Sequence, residues 1–211
     1  MDNFFYHVPT DIYFGKGQIE HLGERMAQLS KKILLVYGGG SIKRIGLYDQ
    51  VIAQLKGAGI EYVELSGVEP NPRITSVRRG VELCREHSLT AVLAVGGGSV
   101  IDSAKAIAMG AATGRDPWEF ASTGTKPDKT LPVATVLTLA ASGSETSNSC
   151  VLTNEETQEK RGITSETNRP VISFLDPENT FTVSKFQTGC GIVDIMMHTL
   201  ERYLTPEGGE S

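Results

Sequence analysis

Two glycine triplets, each directly after an apolar run, restrict the fold of this chain more than any other feature. Gly38–Gly40 follows the β-rich run Lys32–Tyr37, and Gly96–Gly98 follows the apolar run Ala91–Val95. A continuous apolar run of this length is typical of a strand that is covered on both faces. Each triplet leads into a segment with apolar residues at helical spacing, so the pattern strand, glycine turn and helix occurs twice.

The same alternation extends over most of the chain. We predict strands at Thr10–Phe14, Lys32–Tyr37, Ile60–Leu65, Ala91–Val95, Leu131–Leu137 and Val171–Leu175. We predict helices at Gln18–Leu29, Ile42–Lys56, Ile74–His87 and Val100–Ala112, a hairpin of Cys150–Thr153 with Lys160–Thr164, and an irregular loop at Gly114–Lys129. Strands that alternate with helices predict an α/β fold, a Rossmann-like parallel sheet with helices on both faces and right-handed crossovers.

Charge and cysteine usage exclude several classes of function. Twenty Lys and Arg residues against 25 Asp and Glu residues give a net charge of −5, without a basic block for nucleic acid or an anionic membrane. The apolar runs are shorter than the roughly 20 residues of a membrane span, and Met1–Thr10 lacks the basic residues of a signal peptide. The three cysteines show no C-x-x-C spacing. We therefore expect a cytoplasmic protein without membrane or nucleic-acid partners.

The turn Gly96–Gly98, with Ser99 and Asp102 after it, suits an anion. Glycines let backbone N–H groups approach a phosphate, and the N-terminus of the following helix adds partial positive charge. The turn is not the G-x-G-x-x-G fingerprint, because Ile101 occupies the place of the third glycine. The alternative is a tight turn in which Ser99 and Asp102 form a capping box.

Two further segments carry polar groups in suggestive patterns. Thr138–Glu145 places hydroxyl residues and a glycine directly after a buried strand, which makes a donor-rich loop or, alternatively, a cap of Ser142 with Glu145. Asp194 and His198 stand four residues apart in the helical pattern Phe186–Leu204, within reach of one metal ion. Two donors are too few for a catalytic metal, and a solvated ion pair explains the same spacing.

In their order and spacing these segments resemble one known family. The matching text is Phe14-Gly15-Lys16-Gly17, Tyr37-Gly38-Gly39-Gly40-Ser41-Ile42-Lys43, Glu69-Pro70-Asn71-Pro72, Ala94–Asp102, Val136–Glu145 and Val193–Glu201. The chain resembles the N-terminal half of the iron-containing (group III) alcohol dehydrogenases, most of all their NADPH-dependent butanol dehydrogenase and aldehyde reductase branch. The resemblance implies a dinucleotide-binding domain at residues 1–180, and at 181–211 the first helix of a truncated, all-helical metal-binding domain.

The resemblance also implies roles for individual residues. Gly97, Gly98, Ser99 and Asp102 would hold the pyrophosphate, Thr138, Ser142 and Lys160 would line the cofactor, and Asn71 would lie near its ribose. Asp194 and His198 would be two of four metal ligands, and the other two, both histidines, would lie beyond Ser211. A divalent metal, Fe²⁺ or Zn²⁺, would polarise the carbonyl oxygen while a hydride passes between the nicotinamide and the carbonyl carbon.

The turn after the first long strand bears on the choice of cofactor. NAD-specific enzymes commonly place a carboxylate against the adenosine ribose, and that charge repels a 2′-phosphate. Here Gly38, Gly39, Gly40 and Ser41 follow the strand, and Lys43 and Arg44 come next. These donors and charges predict a preference for NADP(H). The alternative is a plain glycine turn before a solvated helix face.

The resemblance as a whole implies an NADP(H)-dependent, metal-assisted alcohol dehydrogenase or aldehyde reductase that acts on a small aldehyde or primary alcohol, in a homodimer. Three alternatives stay open. The chain is a dinucleotide-binding fragment that reduces nothing, a relative such as a glycerol dehydrogenase or a 3-dehydroquinate synthase, or a structural α/β domain, which would leave the glycine triplets unexplained.

Overall fold

Eight strands divide into a parallel sheet and a separate hairpin. In a computed structural model that describes residues 7–204, the strands are β1 (Asp11–Phe14), β2 (Lys32–Tyr37), β3 (Glu61–Leu65), β4 (Ala91–Gly96), β5 (Val133–Leu137), β6 (Ser149–Asn154), β7 (Glu159–Thr164) and β8 (Ile172–Leu175). The α-helices of these residues are α1 (Leu22–Leu29), α2 (Ser41–Arg44), α3 (Leu47–Gly57), α4 (Ile74–Glu86), α5 (Gly98–Thr113), α6 (Pro117–Thr123) and α7 (Lys185–Leu204).

The sheet has the order β3-β2-β4-β5-β8-β1, and every neighbouring pair is parallel. From β2 the chain moves outward to β3, returns to β4 and continues on the other side through β5. The strand order therefore reverses between β2 and β4. In open α/β sheets such a reversal leaves a crevice at the carboxyl ends of the two strands.

Both faces of the sheet are buried, which explains the continuous apolar runs. Leu34 and Val36 of β2 pack in one cluster with residues of α4 and α5, while Ile33 and Leu35 pack in a second cluster with residues of α1 and α3. All four side chains are fully buried. The predicted α/β fold, a parallel sheet with helices on both faces, is confirmed.

Two predicted segments differ in detail. The helix predicted at 42–56 is interrupted, because Gly46 adopts a left-handed conformation (φ 74°) between α2 and α3. The segment predicted as a loop at 114–129 contains α6, whose N-terminus is capped by the Asp116 side chain, with Pro117 in the first turn. An Asp-Pro pair is a helix start signal that a search for apolar periodicity alone misses.

The last helix, α7, differs from the others because most of its large apolar side chains are exposed. The exposed residues include Phe186, Ile192, Val193, Ile195, Met196, Met197, Leu200 and Tyr203. Among the described residues of α7 only Gly191 is buried. Among the helices of residues 7–204, none combines the length and the apolar character that a membrane crossing requires. The division into domains at residue 180 stays a prediction.

Candidate functional site

The crevice lies where the loops after β2, β4 and β5 meet. These three strands are neighbours in the sheet, so their carboxyl ends lie at one edge. Ile42, after β2, packs on one face of the sheet, and Val100, after β4, packs on the other. The two glycine turns therefore diverge, and the space between them is open at the edge where ligands bind in such sheets.

The turn after β4 ends in a helix N-terminus with free donors. Gly97 precedes α5, and the first backbone bond of the helix runs from the Val100 N–H to the Gly97 carbonyl (N to O 3.0 Å). The N–H groups of Gly98 and Ser99 lie before that bond, among those that a helix leaves without an intrahelical acceptor. No side chain caps this N-terminus, so the alternative of a Ser99–Asp102 capping box is wrong. This N-terminus is suited to a phosphate.

A cavity of about 460 Å³ extends along this edge of the sheet. It joins residues of three predicted segments, since Ser41, Gly97 and Thr138 all line it. The remaining lining residues are Arg44, Ile45, Leu139, Asn179, Thr182, Val183 and Gln187. The structure therefore brings together one residue from each of the two glycine turns and one from the donor-rich loop.

Four of the lining residues were not predicted from the sequence. Asn179, Thr182, Val183 and Gln187 follow β8, whose carboxyl end lies at the same edge of the sheet as those of β4 and β5. The available signal was topological, because any segment that follows a parallel strand begins at this edge. Neither their residue types nor their spacing distinguishes these four residues.

The loop after β5 packs directly against the glycine turn. A Cβ on Gly98 would overlap the Ser142 Oγ atom, and a Cβ on Gly97 would lie 3.3 Å from the Leu139 Cβ atom. The Thr138 N–H also donates to the Gly96 carbonyl (3.1 Å). Glycine at 98 therefore lets the two loops approach without displacing the Ser142 hydroxyl. The backbone N–H groups at the start of α5 face the space beside this turn and can bind a diphosphate. The residues present therefore fit a dinucleotide.

The turn after β2 is fixed by an aromatic and acidic cluster. The hydroxyls of Tyr37 and Tyr48 donate to the two carboxylate oxygens of Glu64 (2.5 and 2.7 Å), and the Lys43 Nζ atom lies 4.5 Å from the Tyr48 ring centroid. Burial raises the pKa of Glu64, but the two donated bonds outweigh it and hold that pKa below its usual value. Lys43 is therefore held over the rings, and Arg44 is the cation that lines the cavity.

Asn71 and Lys160 meet each other outside the lining of this cavity. The Lys160 Nζ atom donates to the Asn71 Oδ1 atom (2.8 Å) and so joins the hairpin to the loop after β3. Asn71 has a left-handed conformation (φ 59°), which asparagine tolerates better than most residues. The contact of either residue with a cofactor, which the resemblance implies for both, stays a prediction.

Asp194 and His198 lie on one face of α7, as predicted. The His198 Nε2 atom is 3.6 Å from the Asp194 Oδ1 atom, and both side chains are about half exposed. A carboxylate beside an imidazole suits Fe²⁺ or Zn²⁺. Within residues 7–204 no group of three or more His, Cys, Asp or Glu side chains is placed to hold a metal. The described residues therefore fit half of a metal site.

A larger cavity, of about 910 Å³, adjoins this helix. Its lining includes Ser142 and Gly143 of the loop after β5 and His198 of α7. Between the two cavities α7 touches the same loop, because a Cβ on Gly191 would lie 2.7 Å from the Ala140 carbonyl oxygen. One loop thus lines the crevice through Thr138 and the larger cavity through Ser142.

Comparison with known proteins identifies the family. The sequence model of the iron-containing alcohol dehydrogenases matches residues 9–177. The chain belongs to this family. NADH-dependent butanol dehydrogenase A of Clostridium acetobutylicum is 50% identical over 205 residues, which are 97% of this chain and 53% of that protein. NADPH-dependent aldehyde reductase YqhD of Escherichia coli is 42% identical over 208 residues, which are 97% of this chain and 53% of that protein.

Solved structures of the family share the fold. The crystal structure of NADH-dependent butanol dehydrogenase A from Thermotoga maritima superimposes with a TM-score of 0.93 at 47% identity, covering 98% of this chain and 53% of that one. The chain spans about half the length of the curated relatives that it matches. The resemblance drawn from the sequence is confirmed, whereas the roles of individual site residues stay predictions.

Proposed function

We propose that the protein to which this chain belongs is a nicotinamide-dependent, metal-assisted alcohol dehydrogenase or aldehyde reductase. It transfers a hydride between the dinucleotide and a small aldehyde or primary alcohol. One observation carries the proposal: the loop after β5 adjoins both the crevice at the α5 N-terminus, through Thr138, and the cavity that contains His198, through Ser142. A diphosphate site and a metal-binding helix that share one loop suit a hydride transfer beside a metal.

Each part of this site has a chemical task. The N–H groups at Gly98 and Ser99 and the dipole of α5 hold the pyrophosphate, and the hydroxyls of Thr138 and Ser142 orient the dinucleotide. Asp194 and His198 supply two donors to a divalent cation, Fe²⁺ or Zn²⁺. When it is bound, that cation supplies Lewis acidity toward a carbonyl oxygen.

The test is reduction of butanal by the full-length protein, followed as loss of the reduced nicotinamide absorbance. We expect turnover after loading with Fe²⁺ or Zn²⁺ and little after treatment with a chelator. A control without aldehyde measures direct oxidation of the dinucleotide. Dinucleotide binding without any reduction, in a metal-loaded full-length protein, would instead support the alternative of a binding module.

A preference for NADP(H) is the more specific part of the proposal. The relatives differ in their cofactor, since the two butanol dehydrogenases are NADH-dependent and the aldehyde reductase is NADPH-dependent. Ser41 and Arg44 line the crevice and suit a 2′-phosphate, which favours NADP(H). Glu64 is the nearby carboxylate that would favour NAD(H), but both of its oxygens accept bonds from tyrosines.

Gly39→Asp tests this preference. A Cβ at Gly39 meets no atom within 4 Å, so the variant adds a charge without a clash. We expect NADPH affinity to fall at least about tenfold through charge repulsion while NADH affinity changes little. Gly57→Asp, an equally open position at the end of α3, is the control for added charge. Equal affinities of the wild type for NADH and NADPH, or a Gly39→Asp variant that still prefers NADPH, would show that the turn after β2 does not select the cofactor.

Gly191→Ala tests the contact between α7 and the loop. The added Cβ would lie 2.7 Å from the Ala140 carbonyl oxygen, so the helix or the loop has to shift. We expect kcat to fall about tenfold or more, because hydride transfer depends steeply on placement. Gly189→Ala, where a Cβ meets nothing within 4 Å, is the matched control. An unchanged kcat for Gly191→Ala would contradict the role of this contact.

Three expectations stay proposals beside this function: the homodimer, the cytoplasmic location and the domain boundary at residue 180. The alternative of an incomplete dinucleotide-binding module applies to the 211 residues taken alone, because residues 7–204 contain only two of the expected metal donors.

A further inference from the structure

A charged side chain lies fully buried behind the dinucleotide crevice. Lys105, on the second turn of α5, has no exposed surface. Its Nζ atom donates to the Ser144 Oγ atom (3.0 Å) and to the carbonyl oxygens of Ser147 and Ser149 (both 2.9 Å), and it lies 3.2 Å from the Ser147 Oγ atom. A single ammonium group therefore contacts two residues of the loop after β5 and the first residue of β6.

Asp102 completes the network from the same helix. The Ser144 hydroxyl donates to the Asp102 Oδ1 atom (2.6 Å), and the Val151 N–H donates to the Asp102 Oδ2 atom (3.1 Å). Both carboxylate oxygens are thus engaged within the protein. The resemblance assigned Asp102 to the pyrophosphate, whereas its bonds here run to the loop after β5 and to β6.

The network joins α5 to the irregular segment between β5 and β6. The segment 138–148 has no regular secondary structure, so its backbone has few internal bonds to hold its shape. Yet this segment carries Thr138 and Ser142, which line the two cavities. Burial of an ammonium group is costly unless each of its protons has an acceptor. Here the acceptors are a hydroxyl and a carbonyl of the loop and a carbonyl at the start of β6. A loop displaced from Lys105 would leave a buried charge unpaired.

We propose that Lys105, acting with Asp102 through Ser144, is a positioning residue that fastens the loop after β5 to α5 and thereby sets the width of the dinucleotide crevice. It touches neither cofactor nor substrate in this account. The inference rests on the proposed function, because it assumes that a dinucleotide binds between α5 and this loop.

The charge state of Lys105 offers a second readout. Burial lowers its pKa to about 8, opposed by the charge of Asp102. The other ionisable groups that face it are Glu145 on the loop, Cys150 on β6, and Arg169 before β8. Burial raises the pKa of Cys150 to about 12, so this thiol stays neutral where Lys105 titrates. Loss of the Lys105 proton removes one donor and the charge that hold the loop.

The experiment compares Lys105→Met and Ser144→Ala with the wild type and with Ile107→Val. Lys105→Met keeps an unbranched side chain but removes the donors, and Ser144→Ala removes only the bridging hydroxyl, so the second variant keeps the test open where the first fails to fold. Ile107, buried on the same helix, packs toward Gly80, not toward the loop. It controls for a general loss of packing.

The dinucleotide Kd of each protein is measured by titration with NADH and with NADPH. The thermal midpoint is measured separately by thermal unfolding. We expect the Kd to rise about ten- to a hundredfold in Lys105→Met and by a smaller factor in Ser144→Ala, and to stay within twofold in Ile107→Val. In the wild type the Kd should also rise between pH 7.5 and about pH 9, and this step should be absent from Lys105→Met.

Two failures are distinguishable. A wild type that binds neither dinucleotide would overturn the proposed function and this inference together. A wild type that binds, beside folded Lys105→Met or Ser144→Ala variants with unchanged Kd, would overturn the inference alone. A Kd that follows only the thermal midpoint across all variants, Ile107→Val included, would likewise reduce Lys105 to a stabilising residue.

Discussion

Replacement of His198 by Ala should reduce turnover of the full-length protein by at least about a hundredfold, because loss of an outer partner of a metal ligand already costs ten- to a hundredfold. The dinucleotide Kd should change little, since the nucleotide crevice is built from other loops. Asp194→Ala should behave in the same way, because its carboxylate lies beside the imidazole (3.6 Å). Steady-state turnover and metal content, measured on the same samples, check both variants.

His87→Ala is the matched control. His87 is exposed after the end of α4 and lines neither cavity, so its loss should leave turnover unchanged. The 211-residue chain alone should bind a divalent metal weakly, because a catalytic site takes three or four protein donors and the part of the chain that the structure describes places only two together. Near-stoichiometric metal in the short chain after dialysis, or full turnover in His198→Ala, would contradict the assignment.

Gly98→Val should weaken dinucleotide binding at least about tenfold, or about 1.4 kcal/mol. The first carbon of the new side chain would overlap the Ser142 Oγ atom, and its two methyl groups would fill the space where α5 presents its free N–H groups. The loop after β5 and the phosphate would both be displaced. Calorimetric titration with the better of the two dinucleotides measures the effect.

Gly57→Val provides the comparison for this variant. It introduces the same β-branched residue at the end of α3, where a Cβ meets no atom within 4 Å. Its thermal midpoint should stay the same or rise slightly, because valine has a higher helix propensity than glycine, while the dinucleotide Kd stays unchanged. A folded Gly98→Val protein with wild-type affinity would place the phosphate site elsewhere.

The fold was predictable because its signals are local. Residues 33–37 of β2 are all apolar because both faces of the strand are buried, and a glycine turn follows them directly. The break at Gly46 was not predictable in this way, because apolar residues continue at helical spacing on both sides of it. Only the backbone conformation distinguishes a glycine that interrupts a helix from one that continues it.

Site residues could be predicted from the sequence where their residue types and spacing form a known pattern. They could not be predicted where their role depends on tertiary packing. Gly97, Thr138 and His198 belong to recognisable turns or pairs. Lys105 lies in a helix of small apolar residues, where a lysine is expected to reach solvent, and only the tertiary structure shows its bonds to the loop. Asn179 lines the crevice because β8 ends at the same edge of the sheet, a fact of topology that residue types do not encode.

The proposed function requires that hydride passes directly from the nicotinamide to the carbonyl carbon, beside the metal-binding helix α7. An isotope label on the nicotinamide shows whether it does. The metal-loaded full-length protein is supplied with butanal and a reduced dinucleotide that carries deuterium at the transferable position of the nicotinamide. The wild type should yield 1-butanol with deuterium on its C1 carbon, and His198→Ala should yield no labelled product. Dinucleotide oxidation that leaves the butanol unlabelled, or labelled product at the wild-type rate from His198→Ala, would contradict it.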